Sequence, residues 1–290
     1  MSTSPRSDPV MSTSNLTVNG LSFSVEDTGG NGPSVLLLHG FPDSKALWRH
    51  QIPALAAAGY RVIAPDLRGF GASDRPEGVE HYRMELLASD VLGILDALGI
   101  GSATVVGHDW GSALGWGLAG LAPERVGRFV ALSVGHPSTY FVDLRQLELS
   151  WYMLFFQFVG VAEEALRRDG WTLLREWLRN PVDIERYVAD LDRPGALTAA
   201  LNYYRANISP ESFGGAAAIE LPPIGCPVLG VWSDGDIGCG EAQMLASTKH
   251  VSGTWRYHRI RGAGHWIPLD APEELNALLL DFLTEHGHQR

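Results

Sequence analysis

The chain has 290 residues, 45 % of them hydrophobic and 19 % charged, with a formal net charge of −11. That balance is globular, and it excludes a nucleic-acid binder, whose phosphate-facing surface needs a basic excess. Cys226 and Cys239 form neither a C-x-x-C pair nor a disulfide framework, so a reducing, cytoplasmic location is expected.

Residues 1–14 are rich in Ser, Thr and Pro, lack the apolar run of a signal peptide and read as a disordered tail. Strands at 16–18 and 21–27 flank Asn19-Gly20, a strong hairpin signal. The apolar run 35–38 reads as a buried parallel strand. A helix follows over 46–58, disturbed at Pro53 and stopped by Gly59. Then come a strand at 61–64, a helix at 85–98 and a strand at 103–106. A small-residue helix and a strand at 128–132 complete the first half. This alternation predicts a parallel sheet with helices on both faces.

From about 137 to 223 the pattern turns helical and aromatic, with Trp151, Phe155, Phe156, Phe158, Trp171, Trp177, Tyr203 and Tyr204. Strands resume at 227–232 and 254–260, and 272–282 reads as a final helix. The longest mostly apolar stretch, 151–162, is broken by Gln157 and Gly160 and is too short to span a bilayer. The expected organisation is a tail over 1–14, an α/β core over 15–136 and 224–290, and a helical lid over 137–223.

The chemistry centres on Gly107-His108-Asp109-Trp110-Gly111, which sits between a strand and a helix. In that setting a strained turn lifts the central side chain above the sheet. Aspartate is also a common helix N-cap, but the flanking glycines and the preceding strand point to a nucleophile. A carboxylate nucleophile attacks saturated carbon and leaves an alkyl ester, which favours epoxide opening or halide displacement over ester hydrolysis. The loop His39-Gly40-Phe41-Pro42 leaves the strand at 35–38. It would set the Phe41 N–H beside that of Trp110 as an oxyanion hole, with His39 a packed structural residue. Gly264-His265-Trp266 offers a late loop histidine as base. Ser233-Asp234-Gly235-Asp236 offers the acid that orients it, and either aspartate fits at this level.

With these motifs the chain resembles the soluble epoxide hydrolases of the α/β-hydrolase fold from about Leu16 onward. The match rests on His39-Gly40-Phe41-Pro42-Asp43-Ser44, Asp66-Leu67-Arg68-Gly69-Phe70-Gly71-Ala72-Ser73-Asp74, Gly107-His108-Asp109-Trp110-Gly111 and Gly264-His265-Trp266. The resemblance implies an Asp109 nucleophile, a His265 base and Asp236 as its acid. It puts the two lid tyrosines that hold the epoxide oxygen at Tyr152 and at Tyr204 of Leu201-Asn202-Tyr203-Tyr204-Arg205, with Tyr203 an adjacent competitor. Phe41, Trp110, Phe155 and Trp266 are expected against an apolar substrate. Phe158-Val159 departs from the acidic residue and proline many relatives carry before this glycine, which should alter the lid's bend.

Haloalkane dehalogenases share the fold, the nucleophile and the run at 108–115. They usually need a second halide donor beside the Trp110 indole; Phe41 supplies none, whereas Trp151 or Trp171 would. A non-catalytic ligand-binding protein on the same fold is a third reading. The expected partners are a small apolar epoxide and water, with a homodimer as the candidate assembly and no metal or organic cofactor.

Overall fold

The computed structural model describes residues 12–141, 143–179, 181–214 and 220–285. Its strands are β1 (Ser12–Val18), β2 (Leu21–Asp27), β3 (Ser34–Leu38), β4 (Arg61–Pro65), β5 (Ala103–His108), β6 (Val126–Leu132), β7 (Val228–Ser233) and β8 (Trp255–Ile260). Among the described residues they form one sheet in the order β1-β2-β4-β3-β5-β6-β7-β8. The β1–β2 and β2–β4 pairs are antiparallel and the others parallel.

Asn19 (φ 51°) and Gly20 (φ 79°) join β1 to β2, both in the left-handed region that a two-residue hairpin turn requires. β1 starts at Ser12, so residues 12–14 of the expected tail are a strand paired with β2, while 1–11 lie outside the described residues. β5 and β7 are buried along their whole length, as strands covered by helices on both faces must be. Edge strand β8 is partly exposed and carries Arg256, His258 and Arg259, charges that discourage pairing with another chain.

The helices are α1 (Gln51–Ala57), α2 (Met84–Ala97), α3 (Trp110–Leu121), α4 (Leu144–Leu149), α5 (Trp151–Phe155), α6 (Val161–Trp177), α7 (Ile184–Leu191), α8 (Ala196–Asn207), α9 (Glu241–Ala246), α10 (Ile267–Asp270) and α11 (Pro272–Glu285). The expected helix at 46–58 is instead a 3₁₀ turn, Lys45–Trp48, followed by α1. Pro53 does not disturb α1. It is the third residue, where an N–H would have no intrahelical acceptor.

Helices α4 to α8 lie between β6 and β7 in the chain, within the span expected for the insertion. α6 is broken in its middle, where Asp169, Gly170 and Trp171 take φ of 52°, 66° and 67°. Arg205 of α8 donates Nη1 and Nη2 to Glu163 of α6 at 2.7 and 2.9 Å, and its Nε to the Phe156 carbonyl. This nearly buried ion pair binds three segments of the insertion together. Among the described residues, no helix is long and apolar enough to cross a membrane.

β3 pairs with β4 on one side and β5 on the other, so the direction of chain progression reverses there. Open α/β sheets form a crevice at the carboxyl ends of such strands. Leu38 lies opposite Gly107, which brings the loop after β3 against the turn after β5.

Candidate active site

The turn between β5 and α3 puts Asp109 at φ 53°, ψ −120°. A non-glycine residue there stores about 1–3 kcal/mol of strain, held by its surroundings. Gly111 shows how tight they are, since a Cβ on it would lie 2.0 Å from the Leu38 carbonyl oxygen. Asp109 occupies the N-cap position of α3, yet its carboxylate makes no capping hydrogen bond. Instead Oδ1 accepts the Phe41 N–H at 2.7 Å. Gly40 permits that approach, because a Cβ on it would meet Asp109 Oδ1 at 2.2 Å. Trp110 is the first residue of α3, where a backbone N–H has no acceptor within the helix.

His265 sits in the loop between β8 and α10, with Nε2 3.7 Å from Asp109 Oδ2. Its Nδ1 is 2.9 Å from Asp236 Oδ2 and 3.0 Å from Oδ1. Burial alone would lower the His265 pKa, but the Asp236 and Asp109 carboxylates outweigh it and raise the group to about 10. Burial works against the charge on Asp236 as well. There His265 and the N–H groups of Gly238 and Cys239 prevail and hold it below the usual carboxylate value. The other aspartate of the pair, Asp234, accepts from the Gly262 N–H at 2.7 Å and is a turn former.

Two groups that sequence reasoning missed pin the histidine loop. His108 Nε2 lies 2.9 Å from the His265 carbonyl oxygen, and the Ser133 hydroxyl donates to the same oxygen at 3.3 Å. Burial, followed by the nearby His265, lowers His108 to about 4, so it stays neutral. His39 is fully buried and accepts the Leu67 N–H at 2.9 Å, joining two core loops.

A cavity opens above Asp109 and His265. Phe41, Tyr152, Trp177, Leu178, Tyr204, Ile237, Gly238 and Trp266 complete its lining. Tyr152 comes from α5 and Tyr204 from α8, with ring centroids 5.6 Å apart. Burial, reinforced by the Asp109 charge, pushes both hydroxyls well above the ordinary tyrosine value, so both remain protonated donors. Tyr203 is turned away, its hydroxyl donating to the Arg68 carbonyl at 2.7 Å.

Two residues expected against the substrate are placed elsewhere. Tyr152 and Phe156, one helical turn apart, face inward, whereas Phe155 packs against half-exposed Trp151 at 5.9 Å and stays outside the cavity lining. The Trp110 ring also lies outside that lining and packs against Tyr204 at 5.0 Å. Trp177 and Leu178 were missed, although the aromatic richness of the insertion was visible. Ile237 carried a local signal, an apolar residue within a polar Asp/Gly turn.

One His/Cys/carboxylate cluster, Asp236, Cys239 and His265, brings ligand atoms within 4.8 Å among the described residues. It coincides with the acid–histidine pair, whose facing atoms already bond each other. Burial raises the Cys239 thiol well above its ordinary pKa, which disfavours the thiolate a soft metal needs. These residues fit an acid–base role better than a metal centre.

The profile of the α/β hydrolase fold family matches residues 33–272. The AB hydrolase superfamily protein YfhM of Bacillus subtilis is 34 % identical, over 91 % of this chain and 95 % of its own length. Epoxide hydrolase A of Mycobacterium tuberculosis is 34 % identical, over 92 % of this chain and 95 % of its own. Among solved structures, the epoxide hydrolase of Bacillus megaterium in complex with an inhibitor superposes with a TM-score of 0.82 at 29 % identity. That match covers 93 % of this chain and 99 % of the other.

Proposed function

The chain belongs to the α/β-hydrolase fold family, in its epoxide hydrolase group, and we propose on that premise that it hydrolyses apolar epoxides to vicinal diols through an ester on Asp109. Oδ1 of Asp109 is held by the Phe41 N–H, which leaves Oδ2 as the attacking oxygen. Attack on an epoxide carbon breaks its bond to the ring oxygen, and the electron pair goes to that oxygen. Tyr152 and Tyr204 donate to it and one of them protonates it. Acid assistance of this kind is typically worth about 10²–10⁴-fold.

Esterification removes the negative charge of Asp109, one of the two carboxylates that raise His265. The His265 pKa then falls, its proton passes to the tyrosinate left by the first step, and the neutral ring becomes able to serve as a base. It takes a proton from water, whose oxygen attacks the Asp109 carbonyl carbon. Negative charge collects on Oδ1, facing the N–H groups of Phe41 and Trp110. Collapse breaks the bond between that carbon and Oδ2, His265 returns its proton to Oδ2, and the diol leaves carrying that oxygen. Helices α4 to α8 act as the lid that keeps bulk water away.

One observation carries this reading: two buried, protonated tyrosines border the same cavity as a carboxylate poised on a strained turn. Halide displacement has less support. Neither Trp151 nor Trp171 lines the cavity, and Trp177, which does, would have to bind halide without the Trp110 indole, which is engaged with Tyr204. The test is His265→Gln exposed to an epoxide and weighed by intact-protein mass spectrometry. An adduct on Asp109 is expected; an unmodified mass in folded, substrate-binding protein would refute the ester.

A further inference from the structure

Asp43 follows the Phe41-Pro42 pair, and its side chain is wholly buried, yet the mechanism above gives it no task. The Asp43 N–H donates to the Gly40 carbonyl at 2.9 Å and closes a turn around Phe41. Its carboxylate receives three donors. The Ser44 N–H (2.8 Å) and Arg186 Nη2 (2.6 Å) reach Oδ1, and the Tyr187 hydroxyl (2.7 Å) reaches Oδ2. Arg186 Nη1 also donates to the Ser44 hydroxyl at 3.0 Å. Arg186 and Tyr187 are neighbours on α7, so one lid helix grips the turn that presents the Phe41 N–H. The Tyr187 ring also packs on Trp266, next to His265, at 5.7 Å.

We propose that Asp43, clamped by Arg186 and Tyr187, is a positioning residue that aims the Phe41 N–H for the second chemical step. The inference rests on the ester mechanism proposed above. The charge on Asp109 Oδ1 sets its direction. In the resting carboxylate Oδ1 carries a share of negative charge. Alkylation at Oδ2 turns it into a neutral carbonyl oxygen, so an N–H aimed at it favours the starting state. When water adds to the carbonyl carbon, the carbonyl π pair moves onto Oδ1 and the same N–H stabilises the product of that addition. A misaimed Phe41 N–H therefore leaves alkylation unchanged or faster and slows only ester hydrolysis. A general loss of packing would impair both steps.

The experiment compares wild type, Asp43→Asn and Tyr187→Phe in single turnovers with styrene oxide, following the Asp109 adduct by rapid quench and mass spectrometry. Complete loss of one oxyanion donor is commonly worth about 10²–10³-fold, so a displaced donor should slow ester hydrolysis by at least about 10-fold in Asp43→Asn. Tyr187→Phe keeps the Arg186 contact, guards against a folding defect in the first variant and should show a smaller shift in the same direction. The expected signature is accumulation of ester with an alkylation rate no lower than wild type. Equal slowing of both steps, or no change in either, overturns the clamp. Wild type that makes diol with no adduct in any variant overturns the ester mechanism, and the clamp with it.

Discussion

Removing Glu163 tests how the helical insertion is held together. Its carboxylate and the Arg205 guanidinium are 10 % and 5 % exposed, and the pair is bidentate. Glu163 also accepts the Gly160 N–H at 2.8 Å and the Thr198 hydroxyl at 3.2 Å. Glu163→Ala would strand a guanidinium that water cannot reach. Breaking a buried pair in this way typically costs about 3–5 kcal/mol. At about 2 °C per kcal/mol for a chain of this size, the melting midpoint should fall by about 6–10 °C. The control replaces both partners, Glu163→Met with Arg205→Met, which removes the stranded charge and should recover most of the loss. Differential scanning calorimetry at neutral pH on the three proteins measures this. A single variant melting within about 2 °C of wild type, or a double variant worse than the single, would refute the reasoning.

Tyr152→Phe should slow alkylation, and the double variant with Tyr204→Phe should slow it by at least about 10²-fold on an epoxide, as read by stopped-flow. Tyr203→Phe should leave that rate alone, because its hydroxyl bonds Arg68 outside the cavity. Ester hydrolysis should accelerate with rising pH, since its base acts without its proton, and the pKa governing it lies below the value of about 10 in the resting site because the Asp109 charge is gone. Pre-steady-state adduct levels from pH 6 to 9 check this, and an adduct that grows with pH would contradict it. The same shift stabilises the fold. His265 binds its proton more tightly folded than unfolded, so its contribution is full below about pH 6.5 and fades as pH approaches about 10. A single turnover in ¹⁸O-water should label Asp109 before the diol, and a fully labelled first diol would exclude attack at the Asp109 carbonyl.

The central strands β3 to β7 were legible because they are largely buried on both faces and read as mostly apolar runs. The hairpin was legible from Asn19-Gly20 alone. The start of β1 at Ser12 was not, since Ser-Thr-Ser-Asn has no apolar alternation and gains its order from pairing with β2. At the site, residues next to motif glycines could be nominated from local spacing, including Asp109, Phe41 and His265. Local spacing did not separate Asp236 from Asp234, or Tyr204 from Tyr203, because adjacent candidates differ only in the direction each side chain takes; the family resemblance named Asp236 and Tyr204. Trp177 was invisible as a wall residue because a break in α6, and no periodicity, sets its facing toward the cavity above Asp109.

That break spans residues 168–171. In an unbroken helix each residue turns by about 100°, so the facing of Trp177 would be dictated by the facing of Glu163. Three successive left-handed residues cancel that dependence. The first half of α6 answers to Arg205 of α8, and the second half answers to the cavity it walls and to α7, where Arg175 pairs with Glu185. Lengthening or shortening the joint would re-aim Trp177 and Leu178 without rotating Glu163 out of its ion pair. The shape of the cavity wall can thereby be changed at the joint while the ion pair that holds the insertion together stays in place.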